Sequence, residues 1–241
     1  MTRTTNARIA GFTFLAYIAA GITSMILFRQ ATSGEGVAAK LVSLGEHATT
    51  VGVLVLLGLA QCFSAVVLAV TLYAITRDQD GDLAMLGLVC RVCEGVIGAV
   101  SIPATLTLLW LATTRGGDAP STPAAHALAA YLFRDDVALP ATFFAVGSTA
   151  FTYLFLRGRM IAVPLAWLGV IASVVLVVAL PLRLAGWLDG TVATVIWLPM
   201  LAFEVPLGVW LLTKGVGAPN PMPVVRSEVP NAPLTSPANR P

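Results

Sequence analysis

The chain has 241 residues, 57% of them hydrophobic and 11% charged, and a mean hydropathy of +0.87, which together exclude an ordinary soluble domain. A net charge of +2 and no basic stripe exclude a nucleic-acid partner. Of 14 basic and 12 acidic residues only Arg91, Glu94 and Glu204 lie inside long apolar stretches, the pattern of a chain solvated by lipid.

A helix needs about 20 mostly apolar residues to cross the hydrocarbon core. Six stretches meet that length: residues 9–28, 51–75, 83–112, 137–156, 161–182 and 191–213. The first follows Arg3 and Arg8 and superficially resembles a secretory leader. It exceeds the roughly 7–15 residues of a leader core and ends in Arg29-Gln30 without a small-x-small site, so it is read as a retained helix. Charge, Gly and Pro mark the junctions, as in Arg77-Asp78-Gln79-Asp80-Gly81-Asp82 and Arg157-Gly158-Arg159. The expected fold is all-α, a polytopic bundle of six transmembrane helices over residues 1–214, whose partner is the lipid bilayer.

An even number of spans puts both termini on one side. That side would hold Arg3, Arg8, Arg77, Arg157, Arg159, Lys214, Arg226 and Arg240, against Arg29, Lys40, Arg115, Arg134 and Arg183 on the other. Basic residues favour the cytoplasm, so the expected location is the inner membrane with both termini cytoplasmic. Trp110 and Trp187 then fall near the outer interface, and Trp167 and Trp210 near the inner one.

In the third span Gly87, Arg91, Glu94, Gly98, Ser101 and Thr105 recur at spacings of three and four and share one helix face, which must point into protein. An ionised residue at mid-membrane costs roughly 2.5–3.5 kcal/mol, so three unpaired ones would cost on the order of 8–10 kcal/mol. Arg91 and Glu94 are placed to pair along the helix, and Glu204 lies at a comparable depth in the sixth span. One cation facing two carboxylates leaves a surplus negative charge, so Glu94 or Glu204 is expected to keep its proton near neutral pH. Such a cluster serves either as a lock that fixes helix register or as a titrating site coupled to transport.

Pro199 and Pro206 flank Glu204 and free the carbonyls of Val195 and Ala202, which predicts a kinked sixth helix. Glu94 to Gly98 and Glu204 to Gly208 share the spacing E-x-x-x-G on the third helix of each half, as inverted halves would. Gln61, Ser64 and Thr71 form a lesser polar stripe on the second span, and Thr142, Ala145, Thr149 and Thr152 one on the fourth. Interhelical hydrogen bonding accounts for both, while Gln61, Ser64, Ser101 and Thr149 are the candidates for lining a polar path. The fifth span, with only Ser173 polar inside it, is scaffold or lipid-facing.

Cys62, Cys90 and Cys93 all fall in apolar stretches and read as small fillers. Cys90 and Cys93 form a C-x-x-C, but mid-helix and without a second ligand pair. Glu46, His47, His126, Asp135 and Asp136 offer zinc-ligand types on the outer side, yet no H-E-x-x-H spacing ties them together, so they read as loop residues in water. Phosphate-binding, dinucleotide-binding and nucleophile-elbow motifs are missing from the sequence, so no enzyme activity and no cofactor or metal are expected. From residue 215 to 241 the composition shifts to proline without an apolar period, a tail read as disordered.

With these residues in view, the chain resembles the bacterial multi-pass membrane proteins of domain of unknown function 4386, over residues 6–216. The likeness rests on Asn6-Ala7-Arg8-Ile9-Ala10-Gly11 and the Arg91-x-x-Glu94 pair. It also rests on the Arg157-Gly158-Arg159 turn leading to Trp167-Leu168-Gly169, and on the closing run EVPLGVWLLTKG from Glu204 to Gly215. A His-Asp pair that often opens the family's fourth span is replaced here by Arg134-Asp135-Asp136. The resemblance implies the multi-pass fold and carries no activity with it. The role expected first is therefore a non-enzymatic structural or assembly component. The alternatives are a proton-coupled or small-solute transporter and, from another class, a metal-dependent hydrolase at the outer face.

Overall fold

A computed structural model describes residues 1–116, 120–134, 138–188 and 190–217. Asp135, Asp136 and the proline-rich run from Pro219 onward lie outside the described residues. The described chain holds α1 (Arg3–Ala31), α2 (Gly36–Glu46), α3 (Ala48–Thr76), α4 (Gly81–Gly98) and α5 (Ser101–Thr113). It continues through α6 (Thr122–Leu132), α7 (Ala138–Arg157), α8 (Val163–Leu184), α9 (Thr191–Val195) and α10 (Leu198–Thr213).

Six spans are long and apolar enough to cross a membrane: α1, α3, α4 with α5, α7, α8, and α9 with α10. The protein is thus a multi-pass membrane bundle. Local chemistry sets the ends of these helices. Thr2 caps α1 by accepting from the amide of Thr5 at 3.1 Å. Asp80 caps α4 through Leu83 at 3.1 Å, and its other oxygen meets Arg157 at the end of α7, 3.2 Å away.

The spans pack as a ring in chain order, α1 on α3, α3 on α4, α4 on α7, α7 on α8, α8 on α10 and α10 back on α1. The closure depends on glycine. A Cβ on Gly11 would lie 2.6 Å from the carbonyl oxygen of Gly208 and 2.6 Å from the amide of Leu212, so any side chain there would force α1 and α10 apart. On the far side of the ring a Cβ on Gly147 would meet the Arg91 stem and the Gly87 carbonyl, both at 3.1 Å, which lets α7 approach the charged face of α4.

Two differences from the sequence reading shape the interior. The third span is not continuous: α4 gives way to α5 at Ala99-Val100, because Pro103 has no amide to offer the carbonyl of Ala99. While α4 packs on α7, α5 leans away and packs on α2, α3 and α6. The sixth span does bend as Pro199 predicts: it breaks at Ile196-Trp197, where Pro199 sits in the first turn of α10, a position that needs no amide partner, while Pro206 lies within α10 without ending it.

The second difference is α2 and α6, read as connections in the sequence but helical here. Leu41 and Leu44 of α2, Ala129 of α6 and Leu108 of α5 join Ala31 and Val51 in a small apolar cluster of their own, at the end of the bundle away from the termini. The larger core lies at the terminal end and midplane, and includes Phe14, Leu68, Phe151, Phe155, Leu176, Phe203 and Leu211.

Candidate functional site

Arg91 and Glu94, one turn apart on α4, are 1% and 5% exposed, and one guanidinium nitrogen of Arg91 lies 2.9 Å from a carboxylate oxygen of Glu94. The contact is an ion pair without hydrogen-bond alignment. No nitrogen of the guanidinium has a hydrogen-bond acceptor among the described residues. Aromatic faces substitute in part: the guanidinium carbon stands 4.9 Å from the centre of the Phe144 ring and 5.8 Å from that of Tyr17. Glu94 is engaged from a second side, where the Tyr17 hydroxyl donates to its other oxygen at 2.7 Å.

Glu204 on α10 is 7% exposed and stands apart from this arrangement. Among the described residues it accepts no hydrogen bond and lies within 4.0 Å of no cation, so within the expected cluster the direct pair is Arg91 and Glu94. The reason is register: Arg91 is drawn to the carboxylate on its own helix and to the rings of Tyr17 and Phe144. Glu204 nevertheless shares cavity walls with both members of the pair.

The larger cavity, about 1000 Å³, occupies the half of the bundle away from the termini, where α5 has separated from α7. Exposed Tyr131 and Arg134 mark its mouth, and Glu94 and Glu204 form its floor. Its wall is mostly apolar, from residues such as Ile18, Ile97, Leu139 and Phe144, with Gln61, Ser101 and Tyr17 as polar interruptions. Phe144 and Trp197 face each other across 6.1 Å, inclined at 36°, in the same wall.

Below the charges, toward the termini, the space closes. Phe14, Phe151, Phe155 and Phe203, all at most 4% exposed, surround a second cavity of about 10 Å³ between Arg91, Ser148, Thr152 and Glu204. That volume is about the room of one water molecule. The phenylalanines form an apolar plug between the charged floor and the terminal face.

Of the four candidates for a polar lining, Gln61 and Ser101 line the large cavity, whereas Ser64 and Thr149 do not. The Gln61 side chain donates to the Ser24 hydroxyl at 3.3 Å, and Thr149 turns its hydroxyl back to the Ala145 carbonyl at 2.8 Å. Thr152 and Ser173 meet at 3.4 Å and tie α7 to α8. The two E-x-x-x-G runs are not structurally equivalent: Gly208 lies against Leu15 and Gly11 of α1, while Gly98 opens on the cavity.

Among the described residues no three His, Cys, Asp or Glu side chains gather at metal-binding distance. Glu46 ends α2, the ring of His47 is 2.8 Å from the Ser43 carbonyl, and His126 lies on α6. Cys62, Cys90 and Cys93 are free thiols.

Tyr17, the second partner of Glu94, was not singled out from the sequence. Its signal was there, since it lies about 21 Å along a helix that starts at Arg3, far from the interface where tyrosine usually sits.

The family model described as Domain of unknown function (DUF4386) matches residues 9–215. The chain belongs to that family. The match takes in the first span from Ile9 onward, the other five spans whole, and every residue of the charged floor in this DUF4386 chain. No curated protein and no solved structure matches it.

Proposed function

We propose that this chain is a non-enzymatic, proton-coupled small-solute carrier of the cell membrane, with cytoplasmic termini, in a conformation open to the opposite face. One observation carries the reading: a cavity of about 1000 Å³ runs from that face down to Glu94 and Glu204 and stops at a plug of four phenylalanines. A helix lock has no use for a space that ends on a carboxylate, whereas alternating access needs a site near midplane, reached from one side and sealed from the other.

In this reading the labour divides. Arg91, Glu94 and Tyr17 hold α4 to α1 and form the fixed part, and Glu204 is the carboxyl left free to exchange a proton for a solute. The buried ion pair also supports a second reading, a purely structural membrane component in which the same residues only set helix register.

Native Cys62 lies in the cavity wall and separates the readings. With Cys90 and Cys93 replaced by serine, a membrane-impermeant maleimide applied to sealed vesicles of known orientation should label Cys62 from the face opposite the termini and not from the terminal face. Labelling from neither face, or equally from both, contradicts the carrier.

A further inference from the structure

Resting on the carrier reading, we infer that the cavity is a binding site for an amphipathic organic ammonium ion, its cationic head at Glu204 and its apolar body against Phe144 and Trp197. The sign of the charge follows from what faces the space. Glu94 and Glu204 form the floor; Arg91 opens on the small cavity beneath and not on the large one. One oxygen of Glu94 accepts from Tyr17 and the other faces Arg91 at 2.9 Å, whereas Glu204 has neither a hydrogen-bond donor nor a cation within 4.0 Å among the described residues, so the open carboxylate is Glu204. Arg134 stands at the exposed mouth, where solvent screens it.

The walls select an organic cation over a metal ion. A hard cation asks for six or more oxygen ligands, and this wall offers chiefly carbon, with Gln61, Ser101 and Tyr17, whose hydroxyl is already given to Glu94, as isolated exceptions. Aromatic faces attract ammonium ions, and Trp197 stands beside Phe144 in the wall of the same cavity as Glu204; Phe144 already has the Arg91 guanidinium 4.9 Å from its centre. The volume is at the upper end of small-molecule sites, enough for a ligand with a substantial apolar body.

Exchange follows from charge balance in a poorly solvating interior. The titratable groups that share a cavity with Glu204 are Tyr17 from α1, Cys62 from α3, Arg91 and Glu94 from α4, and Tyr131 and Arg134 at the mouth; α7 presents Ser148 and Thr152, which do not titrate in this range. With Arg91 and Glu94 neutralising each other, Glu204 is balanced either by a proton or by the ammonium. Binding of one cation therefore releases one proton from Glu204 to the cavity, and the net charge of the site stays constant.

The test uses tetraphenylphosphonium, a permanent cation whose charge does not change with pH, and tetraphenylborate, an anion of the same shape. Binding is measured to the full chain in lipid nanodiscs and corrected for empty nanodiscs. The phosphonium should bind more tightly at pH 8 than at pH 5. Its affinity should fall at least tenfold in Glu204→Gln and should be partly kept in Glu204→Asp. Trp197→Ala should weaken it severalfold, and Trp197→Phe should restore it.

Equal binding of both ions, or an affinity unchanged in Glu204→Gln, overturns the inference; so does phosphonium binding no greater than to empty nanodiscs. Borate binding without phosphonium binding refutes the cation assignment and leaves the carrier intact. The carrier itself is tested by the sidedness of Cys62 labelling, which does not depend on what the cavity binds, so the two failures are distinguishable.

Discussion

The hydroxyl of Tyr17 donates to Glu94 across 2.7 Å and joins the first span to the third at the depth where the bilayer tolerates polar groups least. The bond gives a hydrogen-bond donor to one oxygen of a carboxylate whose other oxygen faces Arg91. It also leaves Glu204, at the same cavity floor, as the carboxyl without a partner among the described residues.

Tyr17→Phe removes a hydrogen bond to a buried charged acceptor, for which about 1.5–3 kcal/mol is the usual cost. Thermal unfolding of the purified protein in detergent should show a lower midpoint than wild type. An unchanged midpoint would mean that the bond does not hold α1 to α4.

Arg91→Leu and Glu94→Leu each leave one buried charge without its partner, at a cost of about 3–5 kcal/mol apiece. The double substitution removes both charges and should cost far less than the sum. A double-mutant cycle by chemical denaturation measures the difference, and strict additivity would show that the ion pair contributes no coupling.

Gly11→Ala puts a methyl group 2.6 Å from the backbone of α10, whereas a Cβ at Gly52 meets nothing within 4 Å. The first should destabilise by about 1–3 kcal/mol through overpacking, and Gly52→Ala should stay within about 0.5 kcal/mol of wild type. Equal effects at the two positions would argue against the close crossing of α1 and α10.

The six spans were readable from the sequence because lipid imposes length and apolarity on every one of them, residue by residue. The Arg91 and Glu94 pair was readable for a related reason: two ions three positions apart on one helix have few other partners in hydrocarbon. Tertiary features left weaker traces. The run GVAAKLVSLGE of α2 and the Ser121-Thr122-Pro123 start of α6 carry helical signals, but both helices are too short to span and were read as connections. Pro103 pointed to the break in the third span, yet the direction in which α5 leans is set by α2, α3 and α6, and the cavity is a product of that lean. No local pattern showed that Tyr17 would bind one glutamate and leave the other free.

The division between a held carboxylate and a free one is tested most directly by infrared difference titration of wild type, Glu94→Gln and Glu204→Gln in lipid. The carboxyl band that responds to pH should persist in Glu94→Gln and vanish in Glu204→Gln. The same band in all three proteins, or its loss in Glu94→Gln alone, would contradict that division.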